Sequence, residues 1–243
     1  MSTVVLVHGA AMDGSVWRYQ AEALTRAGFT SIAVDLPGHG GSGGEPSSSA
    51  KGYAGWLLAY LSLLGEAVHL VGHSMGALVV LEAAAARPDS VRSVTLVGVS
   101  DLMPVNVDLL AGAAEGDLSM FETMGRWMHA GDPIGDHEWS VADTVAILQR
   151  TQPDVAHADL IACDTYPGAA AIAAKLAVPM LLILGEQDLM TKPSAAEPIA
   201  AAAEDATTVI VEGAGHLLPV ERPEVVNDAL VEFLERVDSS SKT

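Results

Sequence analysis

Three short stretches carry residue types that together could activate a hydroxyl. The first is Gly72-His73-Ser74-Met75-Gly76, a G-x-S-x-G sequence between the apolar run 68–71 and helix-forming residues 78–87, which Pro88 stops. Such a pentapeptide turns a strand sharply into a helix with the serine at the apex, and its glycines let the two backbones pass where a Cβ would collide. The second stretch is Gly185-Glu186-Gln187-Asp188 and the third Gly213-Ala214-Gly215-His216. A serine hydroxyl is a weak nucleophile until a base takes its proton and a carboxylate orients that base. The spacing therefore predicts Ser74 as nucleophile, Asp188 as acid and His216 as base.

Competitors exist for two of these roles. Asp101 follows the strand expected at Val91–Val97 and is an alternative acid, and Glu186 is a weaker one. Of eight histidines, His8 and His73 flank motifs and are expected to shape loops. His39 sits in a glycine loop and His69 in a strand. His129, His137 and His157 are too scattered for a metal site, so no metal and no cofactor are expected. Only His216 follows a late strand in a glycine-rich loop. Charge developing on a carbonyl oxygen needs two N–H donors aimed at it. The amide of Met75, at a helix start, is one; the other is expected from His8-Gly9-Ala10-Ala11, with Ala10 first and Ala11 second. A pocket wall is expected from Ala11, Met12, Met75, Met103, Trp127, Leu189, Met190 and Leu217.

The elements that must position these groups follow from periodicity. Residues 3–8 form a continuous apolar run, as in a strand buried on both faces of a parallel sheet. Helix 16–27, capped by Asp13 or Ser15, strand 30–36, helix 53–64, the elbow strand and helix, and strand Val91–Val97 continue the alternation. The Gly/Ser/Pro-rich tract between residues 37 and 49 is expected to be mobile. From 101 to 174 no strand is predicted. Helix-like segments at 105–114, 118–129, 139–150 and 156–163 are punctuated by Gly116, Gly131-Asp132-Pro133, Pro153 and Pro167-Gly168. Strand 178–184, helix 194–203, strand 207–212 and helix 223–237 follow, with 238–243 as a disordered polar tail. This order calls for an α/β fold, an open, mostly parallel sheet of about six strands with helices on both faces. Residues 1–100 and 175–243 would form the core and 101–174 a helical cap insertion. Catalytic groups in such sheets collect beyond the carboxyl ends of the strands, and all three candidate loops lie there.

Composition narrows the partners. Twelve basic against 31 acidic residues give a net charge of −19, which disfavours nucleic acid and anionic membranes, since both need a basic face. A single cysteine, Cys163, allows neither an intrachain disulfide nor a cysteine-based metal site. No basic stretch followed by a long apolar segment opens the chain, and no apolar run reaches membrane-spanning length. A soluble cytoplasmic protein, monomer or homodimer, acting on a small molecule is the expectation.

The combination of Val-His-Gly-Ala, Asp35-Leu-Pro-Gly-His-Gly-Gly-Ser, Gly-His-Ser74-Met-Gly, Gly-Glu-Gln-Asp188 and Gly-Ala-Gly-His216 resembles the α/β-hydrolase superfamily over residues 4–233. Similar members include small carboxylesterases, enol-lactone hydrolases, carbon–carbon bond hydrolases and the plant methylesterase/hydroxynitrile lyase group. The family usually has eight strands; this chain begins at the equivalent of the third, as in the methylesterase-like group. Likeness to haloalkane dehalogenases and epoxide hydrolases extends to fold only, because those use aspartate where Ser74 stands. Cofactor-free haloperoxidases share a similar triad, which implies perhydrolysis as a possible side activity. The resemblance implies hydrolysis of a small, largely apolar carboxylic ester through an acyl-enzyme. Cleavage of a lactone or diketone-type carbon–carbon bond is the alternative, and a ligand-binding module reusing the pocket is the alternative of another class.

Overall fold

Six short apolar runs, each followed by a helix or a helical segment, set the architecture. The computed structural model describes residues 2–130 and 139–240; His137 and the Gly131-Asp132-Pro133 break lie outside them. In chain order the first half is β1 (Thr3–Val7), α1 (Arg18–Arg26), β2 (Thr30–Val34), α2 (Ala50–Leu64), β3 (Val68–His73), α3 (Met75–Ala86) and β4 (Val91–Val97). Five helices follow: α4 (Val107–Glu115), α5 (Ser119–Trp127), α6 (Val141–Leu148), α7 (Pro153–Asp164) and the short α8 (Ala170–Ala173). The chain then runs through β5 (Met180–Gly185), α9 (Pro193–Ala202), β6 (Ala206–Val211), α10 (Leu218–Glu221) and α11 (Pro223–Ser240).

All six strands are parallel, in the spatial order β2-β1-β3-β4-β5-β6. β1, β3 and β5 are buried along their whole length, whereas the edge strands β2 and β6 are partly exposed. Helices cover both faces; α2 packs on α3 and α1 on α11. Because β1 has β2 on one side and β3 on the other, the connections from β1 and β3 leave the sheet in opposite directions. The crevice opened beyond their carboxyl ends is where such sheets bind ligands. The Ala10 loop and Ser74 border it.

Local chemistry explains most boundaries. The Asp13 side chain accepts from Ser15 N–H at the turn leading into α1, and Ser49 caps α2 by accepting from Gly52 N–H. Pro153 opens α7 at a first-turn position, where its missing N–H costs nothing. Two expectations need correction. The polar tail is helical to Ser240, because Asp238 is tied to the sheet's amino end. Its carboxylate accepts from Arg92 Nη1 (3.0 Å), His69 Nε2 (3.2 Å) and Ser2 Oγ (2.6 Å). The glycine-rich tract after β2 is pinned along its first half. Asp35 accepts from Gly14 N–H and Gly41 N–H, and His39 is buried. Among the described residues, no helix is long and apolar enough to cross a membrane.

Candidate active site

Ser74 stands between β3 and α3 with φ +53° and ψ −119°. Its N–H donates to Val97 O at the end of β4 (2.9 Å), which fixes the turn against the neighbouring strand. Close approach on both sides makes glycine necessary. A Cβ on Gly72 would lie 2.2 Å from Gly76 O, and one on Gly76 would lie 2.4 Å from Val7 O. The only other non-glycine residue with positive φ among the described residues is Ala11, at +56°. Left-handed backbone costs an L-residue about 1–3 kcal/mol and persists only where surrounding contacts over-determine it. Both such residues flank the same crevice.

His216 and Asp188 are brought together from loops 28 positions apart. His216 Nδ1–H donates to Asp188 Oδ2 (2.8 Å), and both side chains are buried. Asp188 Oδ1 accepts from Met190 N–H (2.7 Å) and Thr191 N–H (2.8 Å), while Thr191 Oγ1 donates to Oδ2 (2.7 Å). Burial opposes ionisation of Asp188, but the facing His216 and the Thr191 hydrogen bonds outweigh it and hold the carboxyl well below the usual carboxylate range. His216 Nε2 is buried and has no hydrogen-bond partner among the described residues. His216 and Ser74 line the same cavity.

Two further groups, half-buried Glu221 and buried His73, hold the His216 backbone. Glu221 Oε2 accepts from Gly215 N–H (3.1 Å) and Ala130 N–H (2.9 Å), and its Oε1 accepts from Leu217 N–H (3.0 Å). Its carboxylate therefore brackets His216 and ties the segment after α5 to the same loop; burial raises its pKa. His73 Nε2–H donates to His216 O (2.9 Å), and the two rings lie 4.8 Å apart. Burial and the neighbouring His216 lower the His73 pKa to about 3. Burial and His39 lower that of His8 to about 4. His8 Nε2 accepts from Leu36 N–H (3.0 Å), so its proton sits on Nδ1, which donates to Gly9 O (2.8 Å).

Both histidines are neutral in the fold and bind a proton near pH 6.5 once unfolded. Their contribution to stability is therefore complete above pH 6.5 and is lost as pH falls toward 4 for His8 and 3 for His73. Each adds a slope of about 1.4 kcal/mol per pH unit within that window. The urea midpoint should fall steadily as pH drops from 6.5 to 4. A level midpoint down to pH 4.5 would contradict it.

The cavity beside Ser74 has a volume of about 330 Å³. Of the residues expected to wall it, Met103, Trp127, Leu189 and Met190 line it, as does Ala10. Ala11, Met12, Met75 and Leu217 do not; all four are fully buried. Ala10, Ser74 and His216, next to Ala11, Met75 and Leu217 in sequence, line it instead. The remaining apolar wall comes from Pro104, Val105, Leu109, Met124, Met128 and Leu160, with Cys163 among them. Those from α4, α5 and α7 were missed because the sequence shows which segments are helical but not which face looks down on Ser74. Burial and the nearby Asp159 raise the Cys163 pKa, keeping it a thiol.

The competing acids are engaged elsewhere. Asp101 Oδ1 accepts from Ala170 N–H (2.8 Å) at the start of α8, and Glu186 Oε2 accepts from Gly213 N–H (3.0 Å). Ala11 N–H, the second choice as oxyanion donor, donates instead to Asp159 Oδ2 (2.8 Å). Thr191, at the third position after Asp188, was missed; the D-x-x-T spacing is a side-chain-capped turn that could have pointed to it.

The described residues hold no group of three or more His, Cys, Asp or Glu side chains placed to bind a metal ion. Comparison with known proteins gives a consistent picture. An (E)-2-((N-methylformamido)methylene)succinate hydrolase from Acinetobacter baylyi is 25% identical over 96% of this chain and 90% of that protein. A Bacillus subtilis protein named "uncharacterized carboxylesterase nap" is 25% identical over 95% of this chain and 78% of its own length. A thermophilic esterase from Thermogutta terrifontis superposes with a TM-score of 0.87 at 26% identity, covering 98% of this chain and 90% of that one. The model of the alpha/beta hydrolase family matches residues 4–229, so with its six-stranded parallel sheet the chain belongs to the alpha/beta hydrolase family.

Proposed function

We propose that the protein is a serine hydrolase of small, largely apolar carboxylic esters, with Ser74, His216 and Asp188 as its triad. One observation carries the reading: His216 Nδ1 faces Asp188, its Nε2 has no hydrogen-bond partner among the described residues, and His216 lines the same cavity as Ser74. His216 Nε2 takes the Ser74 hydroxyl proton as Oγ attacks the ester carbonyl. The oxyanion is held by the N–H of Met75, in the first turn of α3 where no intrahelical acceptor exists, and by the N–H of Ala10. His216 returns the proton to the departing alcohol. It then takes one from water, whose oxygen attacks the acyl carbon, and gives it back to Ser74 Oγ as the acid leaves. Asp188 keeps the imidazole in the required tautomer and stabilises its charged form.

The cavity supports a modest apolar acyl group. Its volume is near the lower end of ligand pockets, and four of its walls are methionines, Met103, Met124, Met128 and Met190, whose unbranched side chains adapt to varied shapes. The helices between β4 and β5 act in this reading as a cap that sets acyl size. The test is turnover of p-nitrophenyl esters of increasing acyl length, with lactones and a diketone-type ring-cleavage substrate alongside, and labelling by a fluorophosphonate. Turnover of short and medium acyl esters with one adduct on Ser74 is expected. No adduct and no turnover would replace the reading with that of a ligand-binding module.

A further inference from the structure

Ala11 is held in its left-handed conformation by two hydrogen bonds from outside its own loop as well as by the turn bond from Met12 N–H to Gly9 O (3.3 Å). Its N–H donates to Asp159 Oδ2 in α7 (2.8 Å), and its carbonyl accepts from Thr151 Oγ1, between α6 and α7 (3.0 Å). These partners lie 148 and 140 positions away along the chain. Asp159 is fully buried on a helix face otherwise formed by Ala156, Leu160 and Cys163. A carboxylate there is costly unless donors surround it. It has three: Ala11 N–H, His39 Nε2–H (2.8 Å) and Tyr53 Oη–H (2.5 Å on Oδ1). His39 Nδ1–H donates to Pro37 O (3.0 Å), so both ring nitrogens face acceptors. Burial opposes charge on this ring, but Asp159 outweighs it and raises its pKa. The hydrogen bonds from His39 and Tyr53 anchor Asp159, and Asp159 in turn anchors Ala11.

The anchored residue is next to Ala10, which lines the cavity beside Ser74. The Gly9 carbonyl accepts from His8 Nδ1 (2.8 Å) and Met12 N–H (3.3 Å). In a trans peptide the N–H points opposite to the C=O, so this sets the direction of Ala10 N–H from one side. From the other side the turn bond from Met12 N–H to Gly9 O and the hydrogen bonds of Ala11 to Asp159 and Thr151 together oppose relaxation of Ala11 to negative φ, which would swing the Ala10–Ala11 peptide. We propose that Asp159 is a positioning residue for the reaction, fixing the Ala10 N–H for the oxyanion by clamping Ala11 from the helical segment above the sheet. Thr151 assists at the other peptide group of Ala11. That segment then has two tasks, walling the cavity and completing the geometry of the reacting site.

This inference rests on the reading of Ser74 as nucleophile and Ala10 N–H as oxyanion donor. The unmodified protein tests that reading alone, by ester turnover and fluorophosphonate labelling. The inference is tested with D159A, D159N and T151V, measuring kcat per fluorophosphonate-titrated site, KM and inhibition by an aryl trifluoromethyl ketone. Ser74 converts that ketone into a hemiketal whose oxyanion needs the same donors. In D159A, kcat per titrated site should fall about 10²-fold and the ketone should weaken in proportion, with KM little changed. T151V should move both readouts the same way by about five-fold. D159N keeps an acceptor oxygen for Ala11 N–H and should recover most of the loss. Unchanged kcat and ketone inhibition per titrated site in T151V and D159A would overturn the proposal. So would a loss seen only as fewer titrated sites or a lower melting temperature. If D159A does not fold, T151V decides by the same readouts.

Discussion

Exchanging Asp188 for asparagine should lower kcat for a p-nitrophenyl ester about 10⁴-fold at pH 7 while leaving KM nearly unchanged. The size of the effect follows from the way the carboxylate is held. Oδ1 accepts from two backbone N–H groups, of Met190 and Thr191, so in the variant the amide oxygen takes that position. The amide NH₂ is left where Oδ2 was, facing His216 Nδ1. It can only donate there, which moves the imidazole proton to Nε2 and leaves no base for Ser74. Thr191 reinforces the error. Its hydroxyl lies 3.1 Å from His216 Nδ1 and, without a carboxylate to donate to, turns to donate to that nitrogen. Steady-state kinetics together with the imidazole ¹⁵N shifts of His216 would check both halves. Retention of more than a tenth of the activity would remove Asp188 from its assigned role.

Ser74→Ala should have the larger effect, a loss of about 10⁴- to 10⁶-fold in kcat and no fluorophosphonate adduct, because the acyl-enzyme route is closed. Residual hydrolysis would come from the oxyanion donors and the cavity acting on water. Stability should rise rather than fall only to the extent that alanine tolerates φ +53° no worse than serine, so the melting temperature is expected to stay close to the parent's. A variant that folds normally and still turns over ester at most of the parental rate would show that Ser74 is a turn residue. Measuring both variants against the same titrated protein separates a loss of chemistry from a loss of fold.

Much of this was legible along the chain. Gly72 is needed because its backbone passes that of Gly76 four residues on, a requirement written locally, whereas Gly76 is needed because β1 passes it at Val7 and His8, far off in sequence. The β/α alternation reads as a parallel sheet because runs such as those of β1 and β5 are almost continuously apolar. Asp188 and His216 could be placed on one sheet edge because each closely follows a strand. The histidines were less legible. His39 reads as a loop residue in a glycine tract, and nothing near it in sequence shows that its ring meets Asp159, 120 positions away. The end of the last helix was misread for a related reason. Residues 238–240 are polar, and their order comes from Asp238 reaching Arg92, His69 and Ser2 at the far end of the sheet.

The amino-acid sequence by itself determined the sheet, the strained serine between β3 and α3, and the set of loops from which an acid, a base and an oxyanion donor can come. These depend on hydrophobic period and on short motifs of small and polar residues, which a chain states directly. The tertiary structure alone decided which of Asp188, Asp101 and Glu186 meets His216, which helix faces wall the cavity, and that Ala11 N–H is occupied by Asp159. Those outcomes turn on how β5 and β6 bring the Asp188 and His216 loops side by side, on how helices α4 to α7 pack over the sheet, and on the hydrogen bond between Ala11 and Asp159, 148 positions apart. Their directions are set by packing angles and buried charge, and no local pattern in the chain encodes either.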